Sequence, residues 1–212
     1  YRTVDDYTPA YYDADYDLDK LSGVDLVTPY WAGQSIAHVF LSFGFQDNRH
    51  LAISIETRRQ KDFSYSTIAG FFHHYELFYV TADERDLIGV RTDIRRERVH
   101  LYPLDLRPET MRRVFLSYVK EIHSLNTKPE WYNTLTDNCT TGMLQRANAQ
   151  WRYRFDWRIL LSGYTPSLAY DLGFLNRIYS FPDLQNRSLI RRPAGSTPGR
   201  DYSDEIRKSI SE

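Results

Sequence analysis

At 212 residues, with 42% apolar and 15% aromatic side chains, the chain is long enough to bury a good-sized core and too apolar for general disorder. Its 27 basic and 28 acidic residues leave no net field to draw a polyanion, so nucleic acid is not an expected partner. A single cysteine, Cys139, excludes an internal disulfide and a multi-thiolate metal site, but leaves the redox compartment open.

The first twenty residues hold six Asp and five Tyr, and residues 1–23 read as an irregular, solvated segment. Its acids lack the Gly and closing Glu of a calcium loop, so no metal is expected there. From Val24 the texture becomes that of strands. Val24 to Trp31, Ile36 to Phe45, His50 to Thr57, Tyr75 to Thr81, Leu87 to Thr92 and Val99 to Leu104 are rich in β-branched and aromatic residues. Turn residues separate them, and Gln46 to Arg49 predicts a hairpin within an antiparallel meander. A helix is predicted over Pro108 to Leu125, with Met111, Val114, Phe115, Tyr118, Val119 and Ile122 at helical spacing and Pro108 in the first turn. A second should run from Asn138 or Cys139 to about Ala149, capped by Asp137 or Asn138. Shorter helical stretches follow at 156–161 and after Pro166. Strands followed by helices imply one α+β domain over 24–186, and the Arg-, Ser-, Pro- and Gly-rich residues 187–212 read as a flexible tail with a weak helix at its end.

No apolar run approaches the ~18–20 residues that span a bilayer, and no signal peptide opens the chain. It starts at Tyr1, and the expectation is of a trimmed product whose leader or membrane anchor lies beyond these residues.

Cys139 falls at the start of a predicted helix, where unpaired amides and the helix dipole favour a thiolate below the ordinary thiol value of ~8.5. The bland alternative is a small core hydrophobe. A nucleophile needs a base, and the histidines are His38, His50, His73, His74, His100 and His123. His38 stands out inside the apolar run 36–43, where an ionisable ring needs a partner or a role. His73 and His74 adjoin a Phe pair without a completing carboxylate, so no zinc is expected. A third group would orient the imidazole. On the next strand His50, Ser54, Glu56 and Arg58 share one face, opposite Leu51, Ile53 and Ile55. Glu56, accepting from Nδ1 of His38, is the first choice for that group, and His50 is the alternative. Arg58, Arg59, Lys61, Arg91, Arg95, Arg96 and Arg98 either receive a phosphate head group, with Arg58 and Arg91 foremost, or form a solvated set of loop charges.

The strings HVFLSFGF, ISIETRR, YELFYVTADERDLIGVRT and EWYNTLTDNCTTGM closely resemble the Lnb N-terminal periplasmic domain family over most of Tyr16 to about Tyr170. The resemblance implies a circularly permuted papain-like fold of the NlpC type, with the histidine strand ahead of the cysteine helix as in the lecithin retinol acyltransferase group. It implies a periplasmic, membrane-associated thiol acyltransferase that moves an acyl chain from a phospholipid to the amine of a lipoprotein and needs no cofactor. Cys139 would be the nucleophile, His38 the acid and base, and Glu56 the orienting group. A backbone amide of the cysteine helix, supported by Asn138, Tyr132 and Thr140, would hold the oxyanion. The alternatives are a papain-like hydrolase or amidase acting on cell-wall peptides, and a non-catalytic module of the same fold.

Overall fold

A computed structural model describes residues 3, 6–58, 76–128, 156–159 and 161–211, with the backbone alone at 32, 57, 58, 76, 126 and 211. Its strands are β1 (Leu21–Ala32), β2 (Ile36–Ala37), β3 (Phe40–Phe45), β4 (His50–Arg58), β5 (Glu76–Asp83) and β6 (Arg98–Pro103). Its α-helices are α1 (Glu84–Leu87), α2 (Pro108–Thr127), α3 (Thr165–Asp171), α4 (Phe181–Arg187) and α5 (Tyr202–Ser211). All pairings in the sheet are antiparallel. The protein is α+β, with an antiparallel sheet and five α-helices among the described residues.

The β1–β3–β4–β5 meander is as expected, but the chain then recrosses the sheet. Strand β6 pairs with the far edge of β1, Leu26 facing Tyr102 and Thr28 facing His100. The 45–49 turn closes with Phe45 N–H donating to Arg49 O at 2.9 Å, and Asn48 takes the positive φ of 61° that Asn tolerates.

Side-chain alternation gives the sheet two buried faces. On the first, Leu26, Leu41, Phe43, Ile53 and Tyr102 pack against Met111, Val114, Phe115 and Tyr118 of α2. Phe43 meets Phe115 edge-on at 5.1 Å. Val119, expected on the buried stripe of α2, is exposed: at about 100° per residue it lies roughly 80° round the helix from Met111, at the edge of that stripe. On the second face, Val27, Phe40, Ala52, Val99 and Leu101 pack against Leu87, Ile88, Ile190, Tyr202 and Ile206.

Three expectations are corrected. Leu87 to Thr92 is not a strand, because α1 is followed by a π-helix over Val90–Ile94. Its β-branched residues suggested extended chain, yet Ile88, Val90, Arg91, Thr92 and Asp93 are all buried, the pattern of a helix covered on all sides. Residues 187–212 are not a loose tail over their described part, 187–211. Tyr202 and Ile206 are fully buried, Arg207 pairs with Asp25 and Glu84, and the domain core therefore extends past 186. Strand β1 begins at Leu21 rather than Val24. Before it, the described residues end in a 3-10 turn, Leu18–Lys20, capped by Asp17, and Tyr12 Oη donates to Asp83 at 2.6 Å.

Candidate functional site

The run 36–45 was expected as one strand, and it breaks at His38. Tyr30 faces Ala37 and Val27 faces Phe40, so the register continues through the break and sets His38 opposite Pro29. His38 N–H donates to Pro29 O at 3.0 Å, but Pro29 has no N–H to return. The loss of that reciprocal bond interrupts the ladder where the histidine lies.

His38 lies on the second face of the sheet, beside Ser54 and Glu56 of β4. Its Nε2 is 2.6 Å from Ser54 Oγ and 3.2 Å from Glu56 Oε1. Ser54 Oγ donates to the same Glu56 oxygen at 2.8 Å. Arg91, carried by the π-helix, places Nη2 3.4 Å from that oxygen and donates from Nη1 to Leu87 O at 3.1 Å. Its guanidinium lies over the Phe40 ring, which also flanks His38. The His38 and Glu56 side chains are 20% and 29% exposed, so the group opens to solvent, whereas Arg91 is 9% exposed and buried behind it.

Burial pushes the Glu56 carboxyl up. The charge and hydrogen bond of His38, the charge of Arg91 and the Ser54 hydroxyl outweigh burial and hold it at about 2. Glu56 is therefore an acceptor throughout the neutral range. With Nε2 engaged, Nδ1 of His38 makes no hydrogen bond among the described residues. This corrects the expected orientation: the nitrogen turned towards Ser54 and Glu56 is Nε2, not Nδ1.

His50 does not join this site. Four residues along β4 from Ser54, it lies roughly 13 Å away at ~3.3 Å per residue. It lies opposite Gly44, close beside its backbone, next to a second polar group on the same face. There Ser42 Oγ donates to Glu84 Oε1 at 2.5 Å, Arg207 donates to both Glu84 oxygens at 2.7 and 2.8 Å, and one of its nitrogens also bonds Asp25. Burial raises Asp25, whereas in Glu84 burial is outweighed by the two-pronged contact with Arg207.

Arg91 is likewise not a head-group contact or a solvated loop charge, since it is buried and committed to Glu56 and Leu87. The side chain of Arg58 and all of Cys139, Asn138, Tyr132 and Thr140, with the predicted helix 138–149 and His73–His74, lie outside the described residues. Sequence reasoning missed two members of the cluster, Ser54 and Arg91. The position of Ser54 between His38 and Glu56 was signalled by its place two residues before Glu56 on the same face. Nothing local to Arg91 signalled its role. Among the described residues, no three of His, Cys, Asp and Glu converge as metal ligands.

The fold and site define an α+β domain that carries an imidazole–carboxylate pair, backed by a buried guanidinium, on one sheet face. The chain belongs to the Lnb N-terminal periplasmic domain family, whose sequence model matches residues 7–163. Neither the curated proteins nor the solved structures compared with the chain give a match.

Proposed function

We propose that the protein is a cysteine-dependent acyltransferase in which Cys139 is the nucleophile, His38 the acid and base, and Glu56 the group that orients His38. The observation that carries this reading is the His38–Glu56 contact, made through Nε2, which leaves Nδ1 to serve a thiol. The family implies the finer features: a circularly permuted papain-like fold of the NlpC type, a periplasmic site of action, a phospholipid donor and a lipoprotein amine acceptor.

In the first step the Cys139 thiolate adds to the donor ester carbonyl, the carbon–oxygen ester bond breaks, and imidazolium Nδ1–H of His38 protonates the departing alkoxide. A thioester remains on Cys139. In the second step the acceptor amine attacks that thioester, neutral Nδ1 takes the amine proton, an amide forms, and the thiolate leaves. Glu56 stabilises the imidazolium that is present before the first step and forms again in the second. Asn138, Tyr132 and Thr140 are assigned to the oxyanion, and Arg58 to the donor phosphate.

The test is alkylation of Cys139 by iodoacetamide as a function of pH, in the native chain and in His38→Ala. The native midpoint should lie well below ~8.5, and His38→Ala should move it back towards that value. A midpoint near ~8.5 in both chains eliminates the catalytic reading in favour of a non-catalytic module. Incubation with phospholipid should then give an acyl adduct on Cys139 by intact mass. An adduct formed only from a cell-wall peptide would assign the same residues to a hydrolase.

A further inference from the structure

We propose that residues 188–211 act as a positioning strap for the His38 site, with Arg192 and Tyr202 as positioning residues that work through Asp93, Thr92 and Arg91 on Glu56. The inference rests on His38 being the base of the reaction, and it concerns a segment beyond the family match, which ends at residue 163.

The strap grips the 84–94 segment at four points. Arg207 holds Glu84 at its start. Pro198 lies so close to Gly89 that a Cβ there would sit 2.6 Å from the proline ring. Tyr202 Oη lies 2.8 Å from Thr92 Oγ1, with the tyrosine fully buried. Arg192 donates to both oxygens of Asp93, at 3.2 and 3.0 Å, and the Asp93 side chain has no solvent exposure. Arg192 is itself held by Glu205 and Thr197 O and lies over the Tyr202 ring. The strap thus takes Thr92 and Asp93, while the residue just before them, Arg91, reaches Glu56.

A five-residue π-helix has little rigidity of its own, since few hydrogen bonds close it. Its placement must come from packing, and the strap supplies that packing. Ser54 and Arg91 both donate to a single oxygen, Glu56 Oε1, and His38 Nε2 lies 3.2 Å from the same atom. A fixed Arg91 keeps that oxygen charged and turned towards His38, and a loose one would not.

The test follows the carboxyl carbon-13 shift of Glu56 in the full chain from pH 7 to pH 1. In the native chain the inflection should fall at about 2. Arg91→Met and Arg192→Met should each raise it by roughly one pH unit, as loss of a neighbouring cation does. Arg192→Lys, which keeps a cation on Asp93 but not the two-pronged contact, should shift it less than Arg192→Met, and the double variant should show no more shift than Arg91→Met alone. Tyr202→Phe, which keeps the ring and removes the Thr92 contact, should give a smaller shift of the same sign, and it stands in if Arg192→Met does not fold. The proposal is overturned if Arg192→Met or Tyr202→Phe leaves the inflection at its native place while Arg91→Met moves it, or if the two methionine shifts add. Because the readout does not involve Cys139, an ordinary thiol would remove the acyltransferase reading and leave the strap intact. An unmoved Glu56 would remove the strap and leave the thiol result intact.

Discussion

Glu56 ties the His38 cluster to acid stability. Its carboxyl is held at about 2 in the folded chain against an ordinary value near 4.5, a depressed acid. The unfolded chain therefore binds the proton first as pH falls. The stabilisation is complete above about 4.5 and is lost between there and about 2, with an upper size of roughly 3 kcal/mol. Urea unfolding of Glu56→Gln should accordingly show a flatter pH dependence across that window than the native chain. His100 acts at higher pH. Burial, only partly opposed by the Gln185 carbonyl on Nδ1, lowers it to about 4. Its neutral form is favoured by folding, so this contribution is present above about 6.5 and is lost as pH falls from there to about 4. Replacing His100 with Gln should remove that second slope in the same titration. His38 and Glu56 were legible in the sequence, because an ionisable ring in an apolar run and a carboxylate on a two-residue period are local patterns. The choice of ring nitrogen was not, since it depends on the lateral placement of two strands.

Among the elements, α2 was the most legible, because its apolar spacing and Pro108 are both local signals. The 84–94 segment was misread because its strand-like composition yields to helical structure under tertiary cover, and most of that cover comes from residues a hundred positions later. The strand break at His38 was hidden for a related reason: its cause, Pro29, sits on a different strand. A further close contact carries a prediction. The 162–164 turn docks on the loop between β1 and β2, with Gly163 N–H donating to Ser35 O at 3.1 Å and Tyr30 Oη donating to Gly163 O at 2.6 Å. A Cβ at Gly163 would lie 2.1 Å from Gln34 O, a backbone atom that cannot swing aside. Gly163→Ala should cost about 2 kcal/mol or more by urea unfolding, through displacement of this turn next to the His38 break.

In the molecule as a whole, the second sheet face is completed by α5, which lies beyond the family match, so the boundary of the match is not the boundary of the fold. Arg207 bridges two buried carboxylates, and Arg207→Met should destabilise the protein by about 3 kcal/mol, since each acid loses its cation in a dry setting. Urea unfolding at pH 7 measures this, and the loss should shrink towards acid pH as the two carboxyls protonate.

The pairing of Asp25 with Arg207 also spans 182 residues, and β1 waits for β6 before its far edge is covered. Contacts so distant in sequence form slowly, so the sheet should assemble on the millisecond to second scale with its second face bare for part of that time. During that interval Asp25 and Glu84 stand ionised and hydrated amid exposed Val27, Phe40 and Leu101. Two charges on an otherwise sticky surface oppose its stacking on another chain. The same acids that require Arg207 in the finished fold would guard the unfinished one against aggregation.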